Sequence, residues 1–252
     1  MIDVRGVHHL GLTVGDLATA SAFYASAGYQ PADRISLTGP DGAVGNGLDA
    51  ASLEIAFLLG PTLTLELVEF DPPAPRRVSA TDPGFGSVPI GRPGAGQDPD
   101  GRPVTFGTAE RGLFLTSAAP ERTVRLLDAL GFDRDGDGAV AGHGVHVDVV
   151  GVAAPGRTPA NAPGRVHLCC EVADMQKACD ELAAAGFDLV SAPRVSGHLS
   201  WVFVAHPEGP GVELLEIGTP DPAAPRQGVS PPGRGCPRRR RRSPPATTSS
   251  PR

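Results

Sequence analysis

An α+β fold built from repeated units, each a strand, a helix and then a set of strands, is what this sequence predicts. Three observations carry the prediction. The stretch 9–29, HLGLTVGDLATASAFYASAGY, matches 167–187, HLCCEVADMQKACDELAAAGF, with His9, Val14, Asp16 and Gly28 answering to His167, Val172, Asp174 and Gly186. A fainter copy at 112–132 keeps the closing glycine as Gly131 but has Gly112 where the others have histidine. In each copy a short alternating run gives way to helical periodicity, as where a half-buried strand hands over to an amphipathic helix.

Taken in order, Leu10, Leu12 and Val14 alternate along the first strand. Asp16 stands where an N-cap carboxylate accepts from free helix N–H groups, and Asp174 repeats it. The helix carries Leu17, Ala20, Phe23 and Tyr24 on one stripe and ends at Gly28, where a C-terminal cap needs positive φ. Leu53–Leu59 and Leu63–Phe70 then read as a hairpin about Gly60 and Pro61, and Leu199–Ala205 with Gly211–Ile217 as its counterpart in the last copy. Residues 71–106, with eight Pro and six Gly, read as loop or decayed module. Residues 218–252 hold nine Pro, Ser/Thr clusters and the run Arg238–Arg242, so a disordered tail is expected. The division is a module at 1–71, a Pro/Gly-rich linker or decayed module at 72–110, a degenerate module at 111–153, a module at 164–218 and a tail at 219–252.

Composition narrows the function classes. With 252 residues and 40% hydrophobic content the chain can bury a real core. The net charge of −6 hides an asymmetry: the tail from residue 218 has eight Arg against Asp221, and the rest is acidic. An acidic body argues against nucleic-acid binding, which needs Lys and Arg on the docking face. No apolar run approaches membrane-spanning length and no secretory leader is visible, so neither a membrane nor an exported protein is expected. Cys169, Cys170, Cys179 and Cys236 form neither a disulfide framework nor a zinc-knuckle spacing, which fits a cytoplasmic protein.

The opening HLGLTVGD, followed by a helix closing on Phe23-Tyr24 and Gly28, resembles the vicinal oxygen chelate superfamily of glyoxalases, epimerases, extradiol dioxygenases and bleomycin-resistance proteins. EIAFLLGPTLTLELVEF resembles the later strands of epimerase-like members, and VFVAHPEGPGVELLEI resembles the family's closing motif, with His206 in place of its usual Asp. The resemblance implies paired βαβββ modules cupping a metal. It also implies the ligands: His9 and Glu66 from the first module, His167 and Glu213 from the last.

Those residue types make sense physically. A His at a strand start and a Glu inside an apolar strand are costly to bury unpaired, and a cation removes that cost. Two imidazoles and two carboxylates suit a Ni, Co, Zn, Mn or Fe ion with open positions better than a closed structural zinc. Singly, each residue is better read as solvated or backbone-bonded; jointly, matching places in two repeats favour a metal. Glu69 and Glu216 are expected to face solvent. His8 is expected on the opposite face from His9, and Asp148 marks the Glu position of the spent middle copy.

Whether the first and last modules meet within one chain or across a dimer is left open by the sequence. The small modules expose sheet faces, so a homodimer is expected. The function implied is proton transfer next to a carbonyl of a small metabolite, through a metal-bound enolate or enediolate, with Glu213 or Glu66 as base and acid. An extradiol-type dioxygenase and a metal-free drug- or metabolite-binding protein are the alternatives. No basic cluster marks a glutathione or CoA handle, since Arg34, Arg76 and Arg77 are scattered.

Overall fold

The computed structural model describes residues 2–38, 40–60, 63–90, 96–106, 112–153 and 158–218; the tail expected to be disordered lies outside them. The first unit comprises β1 (Val4–Val14), α1 (Leu17–Ser26), β2 (Gln30–Leu37), α2 (Pro40–Gly45), β3 (Ser52–Leu59) and β4 (Thr64–Asp71). Two short strands follow, β5 (Val88–Ile90) and β6 (Val104–Phe106). The middle unit is β7 (Gly112–Ser117), α3 (Pro120–Ala129), β8 (Asp133–Arg134), β9 (Ala139–Gly142) and β10 (Val145–Gly151). The last is β11 (Val166–Val172), α4 (Met175–Ala184), β12 (Arg194–Ser196), β13 (Leu199–Phe203) and β14 (Gly211–Ile217). The fold is α+β, as the sequence predicts.

Each unit pairs its first strand parallel to its last and its remaining strands antiparallel. The first and last units join within the chain: β1 runs antiparallel to β11, giving an eight-stranded sheet in the order β12-β13-β14-β11-β1-β4-β3-β2. The middle unit does not pair with the last and forms its own four-stranded sheet, β7-β10-β9-β8. In the Pro/Gly-rich stretch, β5 lies parallel to β6, and Gly86 just before it bridges antiparallel to Leu115 of β7. That pairing repeats in miniature the relation of β1 to β4 and β11.

Local chemistry explains the helices. Asp16 accepts from the Thr19 N–H at 2.6 Å and Asp174 from the Lys177 N–H at 2.9 Å. Gly28, Gly131 and Gly186 end the three main helices with φ of 102°, 80° and 82°. Leu17, Ala20 and Tyr24 are buried on α1, while Phe23 is half-buried.

Glu69 and Glu216 do not simply face solvent. Glu69 Oε2 accepts from the Leu17 N–H at 2.7 Å and Glu216 Oε2 from the Met175 N–H at 3.0 Å, so each last strand holds the first residue of its own unit's helix. Sequence alternation could place these carboxylates on the face opposite Glu66 and Glu213, but not show the helix end waiting there. In the middle unit the acceptor position is Gly151 and the donor position Pro120, which has no N–H; both halves of the bond are gone. Removing one carboxylate, as in Glu69→Ala or Glu216→Ala, should cost about 0.5–2 kcal/mol. Urea denaturation checks this, and unchanged midpoints in both variants would reject a capping role.

A buried charge cluster closes the seam between the two units. Arg102 is fully buried. Its Nε donates to Asp98 Oδ2 at 2.7 Å and its Nη1 to the Thr13 carbonyl, at the end of β1, at 2.9 Å. Tyr24 Oη donates to the same Asp98 oxygen at 2.6 Å. Burial raises the Tyr24 pKa well above its ordinary value, with the Arg102 charge opposing and the Asp98 charge adding to the shift.

Candidate metal centre

The structure brings His9, Glu66, His167 and Glu213 together on the concave face of the large sheet, each between 2% and 9% exposed. The pairing places them. Glu66 lies beside Gly11 across the β1–β4 ladder, and Gly11 lies opposite His167 across the β1–β11 seam. Cys169 lies opposite His9 and beside Glu213. Each histidine is flanked edge-on by a phenylalanine from the neighbouring hairpin strand: Phe57 at 5.7 Å from His9 and Phe203 at 5.1 Å from His167, between ring centres. Phe57 and Phe203 in turn sit opposite Glu66 and Glu213.

The donor atoms converge on a point. His9 Nε2 lies 3.4 Å from Glu66 Oε2 and 3.2 Å from Glu213 Oε2; His167 Nε2 lies 3.2 Å and 3.4 Å from the same two oxygens. The two Nε2 atoms are 3.3 Å apart. Metal bonds of about 2.1 Å put two ligands ~3.0 Å apart at a right angle and ~3.4 Å apart at the tetrahedral angle. The observed separations fall in that interval. Glu213 Oε2 is buried with no hydrogen-bond partner, as for an oxygen aimed at a cation rather than at a neighbour's proton. The donor set therefore fits a divalent ion.

Electrostatics agree. Burial disfavours protonation of His9, but Glu66 and Glu213 outweigh it and raise its pKa to about 10. His167 is raised for the same reason. Burial alone would raise both carboxylates, yet His9 and His167 hold Glu66 and Glu213 below the usual carboxylate range. Without a cation, two imidazolium and two carboxylate charges cancel. A divalent cation replacing the two protons restores the same balance.

His8 is on the same side as His9, contrary to the alternation expected. Val7 pairs with Cys170 and His9 with Cys169, so two steps on β1 face one on β11 and His8 is the extra residue of a bulge. Its Nδ1 lies 2.9 Å from His9 Nδ1, on the side of the ring away from the donor cluster. Burial, then the charge of His9, lowers the His8 pKa. Gly11 is equally specific: a Cβ there would come 1.8 Å from His167 Cε1. Cys169 is fully buried, and burial followed by the Glu213 charge pushes its thiol well above the ordinary value. The sequence reading missed His8, Gly11, Cys169, Phe57 and Phe203. The repeat alignment held a signal only for the two phenylalanines, each in the strand before its glutamate.

A cavity of about 1600 Å³ opens over the four donors. Its walls are mixed: Ile55 and Val68 from the first unit and Trp201 and Leu215 from the last give apolar surface, and Arg34, Glu54 and Arg165 line it as well. The end of α2 crosses toward the far wall, and a Cβ on Gly45 would come 2.1 Å from Trp201 Cη2. His206 also lines the cavity; burial lowers its pKa to about 4, and its Nε2 shares a proton with Thr123 Oγ1 of α3 at 2.6 Å. Arg76 and Arg77 already pair with Asp82 and Asp100, at 2.6 and 2.8 Å.

A sheet of two such units cupping a His/Glu centre defines a class. The family model of the glyoxalase/bleomycin resistance protein/dioxygenase superfamily matches residues 6–217, and the chain belongs to that superfamily. Among solved structures, glyoxalase I from Zea mays aligns at TM-score 0.57 with 17% identity, over 84% of this chain and 92% of that one. A Bacillus subtilis protein with a provisional dioxygenase name aligns at 0.59 and 17%, over 87% of both chains. Methylmalonyl-CoA epimerase from Mycobacterium tuberculosis aligns at 0.41 and 15%, over 87% and 92%. At these identities the likeness is one of fold. No curated protein matches the sequence. No helix among the described residues is long and apolar enough to cross a membrane.

Proposed function

We propose that this chain is a metal-dependent enzyme that moves a proton at a carbon next to a carbonyl of a small metabolite, as an epimerase, isomerase or glyoxalase-type lyase. The observation that carries the reading is the convergence of His9 Nε2, Glu66 Oε2, His167 Nε2 and Glu213 Oε2, all within 4.8 Å of one another, at the floor of the cavity. A bound Ni, Co, Zn, Mn or Fe ion supplies Lewis-acid polarisation of neighbouring substrate oxygens. The chain supplies the rest. Glu213, with its unpartnered oxygen, takes and returns the substrate proton, and Glu66 is placed symmetrically for the opposite face. His8 fixes the His9 ring through Nδ1, so that Nε2 faces the cation.

Metal analysis of the purified chain should find about one divalent ion per chain, held through His9 and His167. Glu213→Gln should lower deuterium exchange from heavy water into the substrate carbon by about 10²–10⁴-fold. A metal-free chain whose Trp201 emission is quenched by a bound metabolite would replace this reading with that of a binding protein. A homodimer remains part of the proposal, tested by light scattering, where a strict monomer overturns it. So does a cytoplasmic setting, since Cys169, Cys170 and Cys179 are free and buried.

A further inference from the structure

Arg165 is a cation in the cavity that no carboxylate among the described residues neutralises. It immediately precedes β11, two positions before His167, and lines the same cavity. Residues two apart on a strand share a face. The neighbouring strand makes room: Gly211 lies opposite His167, and a Cβ there would come 2.6 Å from His167 Cβ and 3.7 Å from Arg165 Nη2. The guanidinium thus stands beside a candidate metal ligand, separated from it by no side chain of β14.

Its position is fixed by the chain and not by an acid. Its Nη1 donates to the Thr158 carbonyl. The Arg165 carbonyl accepts from the Thr13 N–H at 3.0 Å, and a Cβ on Gly84 would lie 3.5 Å from Nε. Arg102, by comparison, has Asp98 and Asp100. Arg76 has Asp82, and Arg77 shares Asp100 with Arg102. A guanidinium is charged at neutral pH. The guanidinium is half-buried, and with one carbonyl partner it has donors to spare for a ligand.

We propose that Arg165 receives a carboxylate of the substrate, so that the cavity selects a carboxylic acid with an apolar body whose carbonyl reaches the four-donor centre. The proposal rests on the proton-transfer reading given above. Two carboxylates and one divalent cation sum to zero, so the guanidinium of Arg165, with no acid paired to it among the described residues, matches a single negative charge on a ligand. A planar fork offering two parallel donors fits a carboxylate.

The test uses phenylpyruvate and its methyl ester, titrated calorimetrically into the full chain, both loaded with Mn²⁺ and stripped by chelator. The loaded chain should bind the acid about 10–100-fold more tightly than the ester. Arg165→Gln should abolish that preference while keeping the wild-type Mn²⁺ affinity and melting temperature. Arg165→Lys, which keeps the charge but not the fork, should restore part of it. Equal binding of acid and ester, binding of neither, or a preference that survives Arg165→Gln would overturn the proposal. Failure of Mn²⁺ to bind would overturn the metal reading instead; a preference in the stripped chain that still depends on Arg165 would then leave the carboxylate subsite standing.

Discussion

Gly11→Ala is expected to empty the metal centre of a chain that still folds. The added methyl would sit 2.0 Å from His167 Nε2, closer than non-bonded atoms approach, so the imidazole must swing away. Gly11 lies inside β1, outside the positive-φ glycines, so alanine suits its backbone. The cost falls on one ligand, leaving His9, Glu66 and Glu213. The affinity for a divalent ion should fall by more than the 10–100-fold typical of losing a contact that supports a ligand. Melting of the chelator-treated variant should stay near that of the chelator-treated parent. Metal content and competitive titration read the first effect and calorimetry the second. Wild-type affinity in Gly11→Ala would mean that His167 is not a ligand.

Arg102→Met should have the largest effect on stability. Methionine fills much of the volume but leaves Asp98, 6% exposed, without its cation, and Asp100 with Arg77 alone. Breaking a buried pair from one side costs about 3–5 kcal/mol. For a domain of this size that is a fall in melting temperature on the order of 10 °C. The Thr13 carbonyl also loses one of its two donors, keeping the Gly164 N–H at 2.9 Å, which loosens β1 at the seam. The double variant Arg102→Met/Asp98→Leu should recover part of the loss, because it also removes a stranded charge. Equal stability of Arg102→Met and wild type would show that the cluster contributes nothing to the fold.

The parts of this architecture that the sequence displays are local or repeated. Asp16 and Asp174 as caps and Gly28 and Gly186 as helix ends depend on neighbours a few residues away. The four candidate ligands came from the family resemblance, which places His9 and Glu66 at positions matched by His167 and Glu213. What the sequence hides depends on partners far along the chain. His8 turns inward because of a bulge set by pairing with β11, and alternation along β1 alone gives the opposite answer. Glu69 and Glu216 look solvated until their helices are seen docked above them. The choice of β11 over the middle unit as the partner of β1 is made by a seam between distant segments. Arg165 is distinctive through the lack of an acid near it, and no motif records that.

That seam has a consequence for the order of events during synthesis. The residues it pairs are separated along the chain by the whole middle unit, with His9 and His167 158 positions apart. Contacts of such long range form late, after local hairpins and helices. As the chain leaves the ribosome, β1 therefore has its β4 partner on one side and an open edge on the other until β11 emerges. The middle unit, whose sheet needs only residues 112–151, can close while that edge waits. An unpaired apolar edge invites the wrong partner, including β1 of another nascent chain. Each early half holds one histidine and one glutamate of the four donors, too few to capture an ion firmly. The four donors come together only when that seam closes, so any ion they hold is captured after the risk of mispairing has passed.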